Sequence, residues 1–146
     1  MTTTNLVKTV NDMTKEDKDL LLKDLCARLR YDTVVYVSGE DVYLRGVDTF
    51  GDKIEVANYH NNIVSIEDVK PYLRPMSSMT KEEKSEMRQW GCLCMGTDDC
   101  VEDIGVYGAI HSVPVIDWLN AHHFDYRGLI EKGLAIEVTN ENNPYK

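Results

Sequence analysis

The chain reads as an α+β protein: an N-terminal helix on a small antiparallel meander or half-open barrel, then a mainly helical C-terminal half ending in a strand. Three observations predict this. Residues 13–30 carry apolar positions at helical spacing, residues 32–66 hold short valine- and tyrosine-rich runs separated by turn residues, and capped helical patterns return after residue 79. The 146 residues are enough for one domain, divided here as a flexible N-terminus (1–12), a helix plus antiparallel unit (13–75) and a helical second half packed on it (76–146).

The elements follow in order. Thr14 is a candidate N-cap with Asp17 three residues on, and Leu21, Leu22, Leu25, Cys26 and Leu29 share one face, so a helix is expected over about Lys15 to Leu29 with Cys26 as core filler. "DTVVYVSG", "DVYLRGVDTF", "KIEVANY" and "NIVSI" are strands, with turns at "SGED", "FGDK" and "HNN". In "SIEDVKPYLRPMSSMT" Ser65 and Asp68 can hold one helical turn. Pro71 and Pro75 then argue for an irregular but fixed connection over Lys70 to Ser78, with Tyr72 and Leu73 buried. Thr80 and Glu83 form a capping box for a second helix, with Met87 and Trp90 on a weak apolar face.

After an unclear stretch, "IGVYGAIH" suits a strand and Ser112 caps "VPVIDWLNAHH", where Val115, Trp118, Leu119 and His122 share a face. Asp125 is expected to cap a further helix, "YRGLIEKG", with Tyr126, Leu129 and Ile130 inward and Gly133 as its stop. "LAIEV" closes the chain's regular structure as a strand.

Charge narrows the function. Sixteen basic against twenty-five acidic residues give a net charge of −9, spread along the chain. No basic patch offers the phosphate contacts that nucleic acid requires, so no nucleic-acid partner is expected. No apolar run reaches the roughly 20 residues of a membrane span, and the polar start lacks a secretory signal; a cytoplasmic location without membrane association follows as the expectation.

The chemistry-bearing groups are few. "CLCMGTDDC" supplies Cys92, Cys94 and Cys100, with His111 as a fourth candidate ligand, but without the paired spacing of zinc ribbons. Asp98, Asp99, Glu102 and Asp103 lack the alternation of a calcium loop. No tightly bound metal is expected there, and no cofactor. His122 and His123 are adjacent, not a helical turn apart, so they do not face one ion.

Asn120, His123, Tyr126 and Arg127 are expected to gather on an accessible rim at a tight corner, joined by Arg74 and Ser77 from the proline connection. These six are the candidate ligand-binding residues, and helix N-terminal amides beside them would suit an anion. Arg127 has a competing structural reading, an ion pair with Asp117, Glu131 or a strand acid. No catalytic residue set is assigned.

Three blocks, "MTKEDKDLLLKDLCARL", "SIEDVKPYLRPMSSMTKEEK" and "DWLNAHHFDYRGLIEKGLAIE", together resemble small uncharacterised proteins common in gut Bacteroidales genomes, many within phages, prophages and other mobile elements. The match covers roughly residues 13–30, 65–84 and 116–138. It implies context and no established activity. The function expected is a non-catalytic binding protein of a phage or mobile element, sequestering a small anionic ligand such as a signalling nucleotide, or inhibiting a host protein. Homo-oligomerisation stays open. The alternative is a small hydrolase or phosphodiesterase using His122 or His123 with Asp125 and Arg127.

Overall fold

The structure is a computed structural model that describes residues 13–48, 52–57, 62–88 and 113–146. The flexible N-terminus expected over residues 1–12, the cysteine stretch, "IGVYGAIH", Trp90 and the Ser112 cap lie outside the described residues.

Helix α1 spans Lys15–Ala27, and Thr14 caps it by accepting a hydrogen bond from the Asp17 N–H at 3.0 Å. Its buried face is Leu21, Asp24, Leu25 and Arg28, which is rotated from the expected one. Cys26 is exposed and Leu29 is 37% exposed, so neither is core filler. The rotation has a physical cause: an Asp24–Arg28 pair is buried one turn apart, and it carries the helix's polar side inward.

Strands β1 (Val34–Val37), β2 (Glu40–Asp48), β3 (Lys53–Ala57) and β4 (Ile63–Ser65) form the antiparallel meander. The β1–β2 hairpin turns on Ser38 and Gly39, both at positive φ (47° and 89°), which suits the right-handed twist of the strands. Alternate residues, among them Val42, Leu44, Ile54 and Val56, face inward onto Leu21 and Leu25. Each such burial contributes about 1.5–3 kcal/mol.

Residues Lys70 to Ser78 are not an irregular connection. Val69–Pro75 is strand β5, paired on one side with β1 and on the other with two short strands from later in the chain, and a single 3-10 turn (Met76–Ser78) follows. Proline is unusual inside a sheet because it donates no ladder bond. Here the bonds on the far edge use the Arg74 N–H, to the His123 carbonyl, and the Leu73 carbonyl, from the Val138 N–H. Neither needs a proline nitrogen. Tyr72 and Leu73 are buried, at 7% and 0% exposure.

Helix α2 spans Lys81–Arg88, opened by a reciprocal capping box between Thr80 and Glu83. Met87 is fully buried, so this helix is docked by its apolar face. Helix α3, Val113–Ala121, buries Val115, Trp118 and Leu119 in a second apolar cluster with Met79, Met87, Phe124 and Tyr126. Two short strands, β6 (Phe124–Asp125) and β7 (Ile136–Glu137), run parallel to β5 along one edge.

The helix expected over "YRGLIEKG" does not form, and the described residues of the second half are not clearly mainly helical. Its two boundary signals are present with too little chain between them. Asp125 accepts from the N–H groups of Leu129 and Ile130, both at 2.9 Å, which lie four and five residues on instead of the two or three of an N-cap. Gly133, at φ 75°, closes the turn with bonds from Gly133 N–H to the Ile130 carbonyl and from Leu134 N–H to the Leu129 carbonyl. Gly128, at φ 78°, removes the residues before Leu129 from any helix. A single turn is what remains.

Candidate functional site

The corner after α3 is built by His123. The His122 N–H closes the last helical bond to the Trp118 carbonyl, and the His123 N–H reaches the Asn120 carbonyl at 3.1 Å. His123 then adopts φ 64°, a left-handed conformation that costs a non-glycine residue roughly 1–2 kcal/mol. That reversal lays Phe124–Asp125 beside Arg74–Pro75 and spends the His123 carbonyl on the Arg74 N–H at 2.7 Å. The imidazole is left to one side of the corner.

There it lines an open cleft of about 760 Å³. Arg74, Pro75, Ser77 and Ser78 form one wall, Ala121, His122 and His123 the next, and Glu137–Asn140 with Asn143 and Tyr145 the third. The His123 ring stacks on Tyr145, with centroids 3.7 Å apart and planes 8° from parallel. Its Nδ1 is buried and has no hydrogen-bond partner. Burial first, and then the charges of Arg28, His122 and Arg74, push its pKa down to about 4. At neutral pH this is an uncharged imidazole.

His122 is anchored differently. Its ring stacks on Trp118 at 4.0 Å, and its Nδ1 lies 2.9 Å from the Trp118 carbonyl oxygen. A carbonyl can only accept, so Nδ1 carries the proton and Nε2 faces Glu86 at 3.8 Å. Glu86 also accepts from the Trp118 indole N–H at 2.5 Å.

Arg74 lies over the Phe124 ring at 4.1 Å and is held by both Glu83 oxygens, at 2.8 and 2.7 Å. Burial alone would raise the Glu83 carboxyl, but the Arg74 and Thr80 hydrogen bonds outweigh it and hold the group below its usual range. The guanidinium therefore enters the cleft with its charge already answered.

The other side of the corner is closed. Asn120 is 2% exposed, and its Oδ1 accepts from the Tyr126 hydroxyl at 2.9 Å. Arg127 does not pair with Asp117, Glu131 or a strand acid. Its Nε sits 3.2 Å from Oδ1 of Asp24, within ion-pair range but too poorly aligned for a hydrogen bond. The same carboxylate takes Nε and Nη2 of the fully buried Arg28, at 2.7 and 3.1 Å, and Arg28 Nη2 also donates to the Phe124 carbonyl at 2.6 Å. Both guanidiniums lie over the Tyr126 ring, at 5.3 Å and 5.0 Å.

Of the six expected ligand residues, the structure thus brings Arg74, Ser77 and His123 to one cleft. Asn120, Tyr126 and Arg127 belong to the closed cluster instead, and the single rim expected of all six does not form. Sequence reasoning missed Asp24 and Arg28, although an acid and a base four apart within the Leu21–Leu25 stripe were a readable signal. It also missed Tyr145 and Asn143, which no periodicity marks. Among the described residues no three His, Cys, Asp or Glu side chains gather as a metal ion would need. No helix there is long and apolar enough to cross a membrane. Compared with known proteins, the chain matches no family model, no curated protein and no solved structure.

Proposed function

We propose that this is a non-catalytic binding protein whose cleft takes a small polar ligand. The observation that carries the reading is His123: an uncharged, stacked ring with an unpartnered buried Nδ1, held in a strained backbone conformation at the wall of an open cleft. Strain of this kind persists where something else over-determines it, and it clusters at ligand sites. Serine, threonine and asparagine groups line the same space and offer both donors and acceptors.

A small anionic ligand, a signalling nucleotide among them, is the narrower form of the proposal. It requires Arg74 to exchange Glu83 for the incoming anion, and Glu137 opposes it with negative charge in the same cleft. A ligand with little net charge meets neither obstacle, and we favour it. Sequestration of such a molecule fits the mobile-element context that the sequence resemblance implies. The hydrolase alternative has less support, because Asp125 spends both oxygens on backbone N–H groups and Arg127 is held at Asp24.

The test is native mass spectrometry of the protein recovered from cells, beside Ser77→Trp, which fills the cleft from an exposed position. The expected result is a small-molecule mass on the wild type that the variant lacks. A wild type without such a mass, or equal retention by both proteins, overturns the reading. Inhibition of a host protein is the second reading, favoured by Tyr36 and Tyr43, which stand 38% and 41% exposed on the outer face of the sheet. A stoichiometric protein partner in the same spectrum would support it.

A further inference from the structure

Residues 139–146 follow β7 without regular secondary structure, and they supply much of one cleft wall: Thr139, Asn140, Asn143 and Tyr145. Most of the segment's hydrogen bonds are to itself. The Thr139 N–H and hydroxyl both donate to Asn142 Oδ1, at 2.6 and 2.8 Å, and the Tyr145 N–H donates to Asn143 Oδ1 at 2.9 Å. Among the described residues, the hydrogen bonds found to leave the segment all involve one group, the Tyr145 hydroxyl. It accepts from the Val34 N–H at 3.1 Å and donates to the Tyr72 carbonyl at 2.8 Å. The ring of the same residue makes the stack on His123.

We propose that residues 139–146 are a strap that opens and closes the cleft, with Tyr145 as its latch. The inference rests on the cleft being the binding site and adds how a ligand reaches it. A segment without ladder bonds, whose hydrogen bonds to the body run through one side chain, opens more cheaply than a sheet strand does. Its opening removes three sets of contacts at once. The His123 ring loses its stacking partner, the Val34 N–H loses its acceptor, and the cleft loses a wall. Its closure over a ligand brings Thr139, Asn140 and Asn143 down as hydrogen-bonding groups. Burial of the Tyr145 phenol, which raises its pKa, keeps the hydroxyl protonated and able to donate throughout the neutral range.

Native-state hydrogen exchange on the full chain tests this without any ligand. The Val34 amide, whose acceptor is the latch hydroxyl, is compared with that of Leu44, which bonds the Thr33 carbonyl inside the sheet region. The Val34 amide is expected to exchange through an opening that low denaturant leaves unchanged, while the Leu44 amide follows global unfolding. Tyr145→Phe keeps the stack and removes the latch bonds, so it should speed the Val34 amide at least tenfold and leave Leu44 unchanged. If the Val34 and Leu44 amides exchange together, with one denaturant dependence, the strap is a fixed part of the fold and the proposal fails. If Tyr145→Phe speeds both amides equally, it fails too. Neither failure touches the ligand reading, which the retained-mass experiment decides separately.

Discussion

The corner at residues 120–127 has a closed side and an open side, built from opposite choices. On the closed side two guanidiniums converge on one carboxylate that is wholly removed from water. Burying charge is costly, and the cost is recovered only where geometry and additional hydrogen bonds are good. Arg28 meets that condition with two bonds to Asp24 and one to the Phe124 carbonyl, which ties α1 to β6. On the open side the polar groups are half-buried or exposed, and His123 is left with an unsatisfied nitrogen. The closed cluster sets two guanidiniums against one carboxylate and leaves Arg28 Nη1 and Arg127 Nε without a hydrogen-bond partner, yet Asp24 and Arg28 are wholly removed from water and specify architecture. An unmatched polar group beside open space is what a ligand can complete.

The largest way to break this contrast is Asp24→Ala. It leaves Arg28 buried without a counter-charge and releases Arg127, and removing one partner of a buried pair costs about 3–5 kcal/mol. Urea denaturation at neutral pH measures it. A loss below about 1 kcal/mol would mean that water reaches the cluster, and the closed side would not be closed.

The open side should show itself in pH dependence. The His123 pKa is about 4 in the folded chain and about 6.5 when unfolded. Between those values the unfolded chain takes a proton that the folded chain refuses. Stability is therefore full above about 6.5, falls as pH drops through the window and levels off below about 4. With the ring partly open to solvent, the total is about 2–3 kcal/mol. Glu83, whose folded pKa is depressed, loses its own contribution as pH falls through that folded value, so it acts in the same direction at lower pH. His123→Asn, which tolerates the left-handed conformation, isolates the histidine: the difference between the two stability profiles should carry the slope. Parallel profiles would show that the ring is not buried.

How much of this the residues announced follows from which rules they obey. The Thr14 cap and strands β1 to β4 were legible because local pattern and tertiary demand agree there. β5 was hidden by Pro71 and Pro75, whose missing N–H groups read as a broken ladder; only the pairing partners reveal that the bonds fall elsewhere. The turn after Asp125 was misread because Asp125 and Gly133 read as the ordinary bounds of a helix. Arg74 and Ser77 were named through a proline connection that is instead strand and 3-10 turn, and His123 through a corner that does form; that the three line one cleft follows from the pairing of β6 with β5. Asp24 and Arg28 were missed because charged residues on a helix are ordinarily solvated, and burial is decided by what packs on top. Tyr145 carries no local signal at all.

Arg127 is the smallest test and the sharpest, because sequence and structure make opposite forecasts for it. A rim arginine would be lost with little stability cost and with the ligand. The structure instead places its Nε 3.2 Å from Asp24, its Nη2 3.4 Å from the Tyr126 hydroxyl and its guanidinium over the Tyr126 ring. Arg127→Ala should then cost about 1–2 kcal/mol, from one charge-assisted contact and one cation–π contact. That is less than Asp24→Ala costs, because Arg28 keeps its two bonds to the carboxylate. The cleft should be untouched: the same His123 titration by NMR and the same retained mass per folded molecule. A variant of unchanged stability that loses the retained mass would extend the site across the corner. The division between a closed side and an open side would then be wrong at its boundary, and Asn120 and Tyr126 would return as ligand contacts.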